Sequence, residues 1–379
     1  VSTDKTSETH KGLQGVVAGT TAISYIDGEG GKLFYRGFSI DELVQHSNFE
    51  EVIFLLFFGR LPNPKEWASW QGEISKERNL PKQVIDAIST FPKAIIPMAA
   101  LRTAVSLLGL YDKDAEDNSP GANLRKGARL VAQMPTVVAA IERTRRGKEL
   151  IPPLNKGSLA ENFLYMLHGE SPDAESLRGL DAYFVLLAEH SYNASTFAAR
   201  TTAATLSDIY SAIVSAVGTL KGDLHGSANQ RTMEMLLEIK DLPGIVPYVR
   251  ERLARKQKIM GFGHRVYKAD DPRAQYLREW AQRLGKKNGS IQWFQIAEEL
   301  RQVMKKEKPL PVNVDFYSAP LLYYLGIPVD LFTLLFACAR TPGWVAHVLE
   351  QYSDNRLIRP DAEYCGPSLN QTYIPLEKR

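Results

Sequence analysis

Residues 261–273 read GFGHRVYKADDPR, and the reading of its first six residues decides between an α/β chain and a helical one. A dinucleotide fingerprint needs a third glycine where Val266 stands, directly after a strand and inside a βαβ unit. No strand signal precedes this stretch, no βαβ pattern surrounds it, and GxxxxGK[ST] occurs nowhere in the chain. The α/β reading fails, and the class expected is all-α. What remains is a turn whose glycines let backbone approach a ligand, with His264 in its middle and Lys256 and Lys258 just upstream. A surface loop with one solvated histidine would read the same way.

Working outward, helical periodicity dominates on both sides. The exception is VVAGTTAISYIDGEGGKLFYRG (16–37), which reads as a β-hairpin around DGEGG. In residues 39–59, Ser39 is placed as N-cap with Glu42 at capping-box spacing and Gly59 as the stop. Helices are expected around 95–109, 125–146, 157–169 and 175–191. The Ala/Ser/Thr-rich run 195–222 suits a close helix–helix contact. Charged amphipathic helices are expected at 227–240, 273–287 and 291–307. The almost wholly apolar stretch 329–352 should be buried, with a kink or break near Pro342. Residues 240–310 are much more charged than their flanks, and glycines 218, 222, 226 and 326 punctuate the borders. This predicts a large helical domain from 1–222 and 326–379, with 223–325 inserted as a smaller one.

The totals narrow the class. With 44% hydrophobic residues in 379, the chain can bury a large core, and 46 Lys+Arg against 43 Asp+Glu leave a net charge of +3. That balance points away from nucleic acid and membrane surfaces. Cys338 and Cys365 form no metal or redox motif and fit a reducing compartment. The start, VSTDKTSETHKG, has no apolar signal core, and the longest apolar runs are far below the ~20 residues of a membrane span. A cytoplasmic location is expected.

Several further segments carry groups capable of chemistry. His225 lies between glycines in KGDLHGSANQ, at the start of a helix, where the dipole disfavours protonation and leaves the imidazole a neutral donor. A capping histidine would read alike. His190 and Asn193 precede the Ala-rich helix. Asp315 stands among apolar residues in NVDFYSAP, as a partly desolvated base or as an N-cap. Arg340 sits inside an apolar helix and must find a carboxylate or an anionic ligand, because an unpaired buried charge costs several kcal/mol. Arg356 and Arg359 follow in RLIRPDAEY. There is no GxSxG, no HExxH and no close His pair, so neither a serine nucleophile nor a metal site has local support. Histidines, one carboxylate and several arginines suit acid–base carbon chemistry on a small polyanion.

Taken together, LHGSANQ, GFGHRVYKADDPRA and NVDFYS resemble the citrate synthase family, of the shorter bacterial and archaeal type, and the resemblance runs nearly from end to end. It implies an acyltransferase condensing acetyl-CoA with oxaloacetate and hydrolysing citryl-CoA. In that scheme His225 meets the thioester carbonyl, Asp315 removes the methyl proton and His264 donates to the oxaloacetate carbonyl. Arg273 and Arg340 would hold the oxaloacetate carboxylates, with His190 and Asn193 beside them and Arg359 reaching in from a second subunit of a homodimer. Gly261, Phe262, Gly263, Lys256 and Lys258 would lie along CoA, which is a substrate; no metal or other cofactor is expected. Two positions depart from the family wording. Leu187 replaces a second histidine, which bears on the outer wall of the oxaloacetate site, and ACARTPGW replaces a Ser-Arg pair. Three alternatives stay open here: a 2-methylcitrate synthase using propionyl-CoA, a catalytically silent oligomeric homologue, and a metal-dependent hydrolase.

Overall fold

The computed structural model describes residues 10–379. The remainder of the polar N-terminal stretch lies outside the described residues. Ser24–Asp27 (β1), Lys32–Tyr35 (β2) and Phe38–Ser39 (β3) form an antiparallel sheet in sequence order, with Ser24 opposite Tyr35 and Asp27 opposite Lys32. The hairpin is therefore where the alternation placed it, but a third short strand extends it, paired through Phe34–Ser39. Residues 16–23 stay outside the sheet.

Helices make up the rest of the architecture. The first ten are α1 (Ile40–His46), α2 (Phe49–Phe58), α3 (Pro64–Lys76), α4 (Lys82–Ser89), α5 (Pro97–Leu110), α6 (Pro120–Arg145), α7 (Leu159–His168), α8 (Ala174–Leu187), α9 (Ala194–Ala203) and α10 (Ile209–Leu220). Then come α11 (Ala228–Ile239), α12 (Ile245–Ala254), α13 (Ala274–Lys287), α14 (Gln292–Glu307), α15 (Val314–Tyr324) and α16 (Phe332–Ser353). Side-chain caps set several starts: Ser39 accepts from Glu42 N, Asp173 from Glu175 and Ser176 N, and Asn193 from Thr196 N. The stretch 39–59 proves to be two helices, because Asn48 accepts from Glu51 N and begins a second one; Gly59, at φ +75°, ends it. Residues 188–191, expected as helix, form instead the turn that carries His190.

The small residues of 195–222 do what their size allows: α9 and α10 form a close pair. Helix α16 runs through the middle, against α2, α6, α8, α9 and α10. It continues through Pro342, so of the kink or break expected there the break does not occur. A proline inside a helix costs ~3 kcal/mol or more, and here Cys338, Thr341, Trp344 and Val345 are at most 1% exposed, so packing holds the helix together. Helices α11 to α15 pack chiefly on one another, with α8 and α16 as their neighbours outside the group. Cys338 is buried and Cys365 exposed, both as free thiols. Among the described residues no helix is long and apolar enough to cross a membrane.

Candidate active site

A cleft of about 1520 Å³ is lined by the N-terminal segment 12–26, the turns before α9 and α11, the loop 256–266, the first turns of α13 and α15, and α16. Pockets for drug-sized ligands occupy ~300–1,000 Å³, so a large ligand fits here beside a small one. His190, Asn193, His225, Lys256, Lys258, Gly261, Phe262, Gly263, His264, Arg273, Asp315 and Arg340 all line it. Arg359 does not. It is exposed and pairs with Asp361 at 2.8 Å.

Segment 261–263 is stitched to 311–313. Phe262 bridges Val312, Gly263 N donates to Pro311 O at 2.7 Å, and Asn313 N donates to Gly261 O at 3.0 Å. Gly261 and Gly263 have φ of +81° and +84°, and a Cβ on Gly261 would lie 2.5 Å from the Phe316 ring. Only glycine serves there. The stitching brings His264 and Asp315, fifty-one positions apart, into one cleft. We expect Gly261→Ala to destabilise the fold by ~2 kcal/mol or more in urea unfolding, and to lower kcat by displacing α15. A variant unchanged in both would show that the close approach is dispensable.

The cap of α15 is Asn313, which accepts from Asp315 N at 3.1 Å, so Asp315 itself is not spent on capping. Its side chain is half-buried at the cleft, and Oδ1 is sealed from solvent without a hydrogen-bond partner. Burial pushes its pKa up to about 7, with Arg273 and Arg340 pulling down and Asp271 pushing up.

The two histidines beside it are neutral, and each keeps one nitrogen for the cleft. His264 Nδ1 accepts from Val266 N and Tyr267 N, both at 3.0 Å, which puts its proton on Nε2. His225 Nε2 accepts from the backbone N–H of Ser195 at 3.3 Å and lies 2.8 Å from Ser195 Oγ, which puts its proton on Nδ1. Ser195 lies in the first turn of α9, so the helix N-terminus that polarises His225 is that of α9, across the cleft, rather than that of its own α11. Burial pushes both imidazoles down to about 4, Arg340 adding to the effect at His225 and Arg273 at His264, where Asp271 opposes it. His190 is buried, 3.3 Å from the Tyr267 hydroxyl, and held well below the usual imidazole range by burial and by Arg273, Arg340 and His264.

The two arginines differ. Arg273, 2% exposed, makes a fork with Asp271 (Nε–Oδ1 2.9 Å, Nη2–Oδ2 2.7 Å), and its Nη1 is buried without a partner. Arg340, also 2% exposed, donates Nε to Leu187 O at 2.7 Å and lies over the Phe336 ring at 4.8 Å. It has no ion pair among the described residues. Leu187 thus meets the site through its carbonyl, while its side chain is fully buried at the end of α8 and does not line the cleft. His190, His264 and Asp271 place ligand-type atoms within 4.8 Å of one another. Both Asp271 oxygens already accept from Arg273. Three residues of the site carry no functional signal in the sequence pattern: Asp271, although it stands in the DDPR of the same stretch, Ser195, and Trp344, whose Nε1 donates to Ser195 Oγ at 3.1 Å.

Against known proteins, the family pattern "Citrate synthase, C-terminal domain" matches residues 12–361. The chain belongs to the citrate synthase family. It is therefore a transferase. It is 48% identical to citrate synthase 2 of Bacillus subtilis over 97% of this chain and 99% of that protein. It is 39% identical to 2-methylcitrate synthase 1 of Corynebacterium glutamicum over 98% and 99%. The fold matches citrate synthase of Thermoplasma acidophilum, solved as a ternary complex with carboxymethyl coenzyme A and oxaloacetate, with TM-score 0.93 and 31% identity over 98% of this chain and all of that one.

Proposed function

We propose that the cleft condenses acetyl-CoA with oxaloacetate and hydrolyses citryl-CoA to citrate and CoA. One observation carries this: an unpaired carboxylate with a pKa near neutrality shares the cleft with two neutral imidazoles, each with a free N–H. A thioester α-proton is far too weakly acidic for a base alone, so the developing oxyanion must be met by fixed donors. Asp315 takes the methyl proton while His225 Nδ1–H donates to the thioester carbonyl oxygen. The enolic carbon then attacks the oxaloacetate carbonyl, whose oxygen receives the proton of His264 Nε2. Water cleaves the thioester and releases CoA. The unpartnered Arg273 Nη1 and the Arg340 head would take the oxaloacetate carboxylates, with His190 and Asn193 beside them. The 261–263 backbone, Lys256 and Lys258 would follow CoA.

The exposed position of Arg359 fits a residue that completes the cleft of a second copy, so the active unit is read as a homodimer. Segment 223–325 is read as a smaller domain closing over the ligands. Arginines and imidazoles supply the electrophiles, so no metal or cofactor is required, and activity should survive chelation and dialysis.

The identity of one relative as a 2-methylcitrate synthase keeps propionyl-CoA as the second reading. A methylene is worth only ~1–3 kcal/mol in such a pocket. The deciding measurement is release of free CoA thiol with oxaloacetate and each thioester. A preference for acetyl-CoA of about tenfold or more supports the first reading, and the reverse ratio supports the second. Release from neither, by folded protein, would sink both and leave a silent homologue.

A further inference from the structure

We infer that Glu189 is a positioning residue for the oxaloacetate side of the site, holding the turn that presents His190 and Asn193 through a buried chain to His347 and Arg200. The inference rests on the reading of this cleft as an oxaloacetate site. Glu189 directly precedes His190 and is fully buried, as is His347; Arg200 is 6% exposed. Glu189 Oε1 accepts from His347 Nε2 at 2.9 Å, from Ser24 Oγ at 3.0 Å and from the backbone N–H of Ser191. His347 Nδ1 accepts from Arg200 Nη1 at 3.0 Å. Since arginine can only donate, the His347 proton sits on Nε2, facing the carboxylate. Arg200 is fixed in turn by Glu350 at 2.6 Å and Gln351 at 3.1 Å.

The turn needs such an anchor. Ser191 has φ +51°, in the left-handed region, without being glycine. Backbone of that kind persists only where its surroundings over-determine it. Here its N–H is held by Glu189 Oε1 and by Ser24 Oγ at 3.1 Å. From below, Gly343 of α16 leaves no room: a Cβ there would lie 2.3 Å from Glu189 Oε2 and 2.4 Å from Ala188 O. From the turn the placement passes onward. Asn193 N donates to Ser191 O at 2.9 Å, Asn193 caps α9, and Ser195 two residues later meets His225. One carboxylate thus holds the turn at Ser191, between His190 and Asn193, and through the Asn193 cap the first turn of α9 that meets His225. A buried ionic chain is weak evidence for stability as such, since apolar packing often serves the fold as well. Its place beneath this turn is accounted for by positioning.

Steady-state kinetics on the full chain test this. In Glu189→Ala the KM for oxaloacetate is expected to rise about 10- to 100-fold, with the KM for acetyl-CoA within about threefold of wild type. Glu189→Gln, which keeps an acceptor oxygen, should restore most of that loss. A folded Glu189→Ala variant that only melts earlier, with its oxaloacetate KM unchanged, overturns the inference. If Glu189→Ala does not fold, Ser24→Ala takes its place, with an expected rise of about 3- to 10-fold in the same KM; no rise there overturns it equally. Wild-type protein that neither turns over nor binds oxaloacetate by calorimetry would instead remove the functional reading on which this rests.

Discussion

Asp315→Ala is expected to lower kcat by roughly 10²- to 10⁴-fold while leaving oxaloacetate affinity nearly intact. In the proposed mechanism this carboxylate takes the carbon-bound proton, whereas the arginines and His190 would seat oxaloacetate without it. Calorimetric titration beside thiol-release kinetics separates the two effects, and turnover near the wild-type level would show that another group is the base. The pH dependence has a definite sign. Asp315 must be ionised to act and is held up to about 7 in the free protein, while His225 and His264, near 4, are already neutral above pH 5. Hence kcat/KM should climb through pH 6–7 to a plateau.

Stability should run the other way. The folded-state pKa of Asp315 lies above its ordinary value of 3.8, so its favourable contribution is complete below about pH 4 and is lost as pH rises through about 7. Above that, the ionised carboxylate costs the fold on the order of 1.4 kcal/mol for each unit by which the pKa is raised. The cleft's partial solvation of the side chain trims that figure. Asp315→Asn should therefore be the more stable protein at pH 8, by a few kcal/mol, with the gain shrinking toward pH 5. Urea unfolding at the two pH values reads this directly.

Arg340→Ala should raise the Kd for oxaloacetate by about 30- to 5,000-fold, the range for removing one partner of a desolvated charge pair. Without ligand the same change should cost the fold little. Burial already holds the Arg340 guanidinium down to about 10, and it makes no ion pair among the described residues, so buried Glu189 loses only a through-space attraction. Arg273→Ala differs: it abandons Asp271, 1% exposed, as a buried uncompensated charge, and about 3–5 kcal/mol of stability should go with it. Thermal melts with and without oxaloacetate distinguish the pair. Arg340→Ala melts like wild type but loses the ligand-induced rise, whereas Arg273→Ala melts early in both conditions. An unchanged oxaloacetate affinity in folded Arg340→Ala would return that arginine to a structural role.

Much of this was legible in the chain. The helical class followed from the missing third glycine at Val266 and from periodicity. The charged amphipathic helices fell within a residue or so of their observed ends, because one polar face and one apolar face leave a helix little choice of register. The errors share a cause. Pro342 reads locally as a breaker, yet α16 is gripped on every side and runs through it. Residues 188–191 have helical composition, yet Glu189, Ser24 and Gly343 bend them into the turn that carries His190. Asp315 reads locally as an N-cap, but Asn313 takes that bond.

By itself, then, the sequence determined most of the helices, the hairpin and the list of chemically able residues, since those depend on neighbours three or four positions away; α3, α4 and α12 were not among the helices read from it. Only the tertiary structure decided which nitrogen of each histidine carries its proton, which arginine is already paired, and which helix end polarises His225. Those properties depend on partners brought from far along the chain: Ser195 at thirty positions from His225, Leu187 at 153 from Arg340, His347 at 158 from Glu189. Burial then amplifies each contact, because a charge or a proton removed from water is governed by the few atoms that touch it.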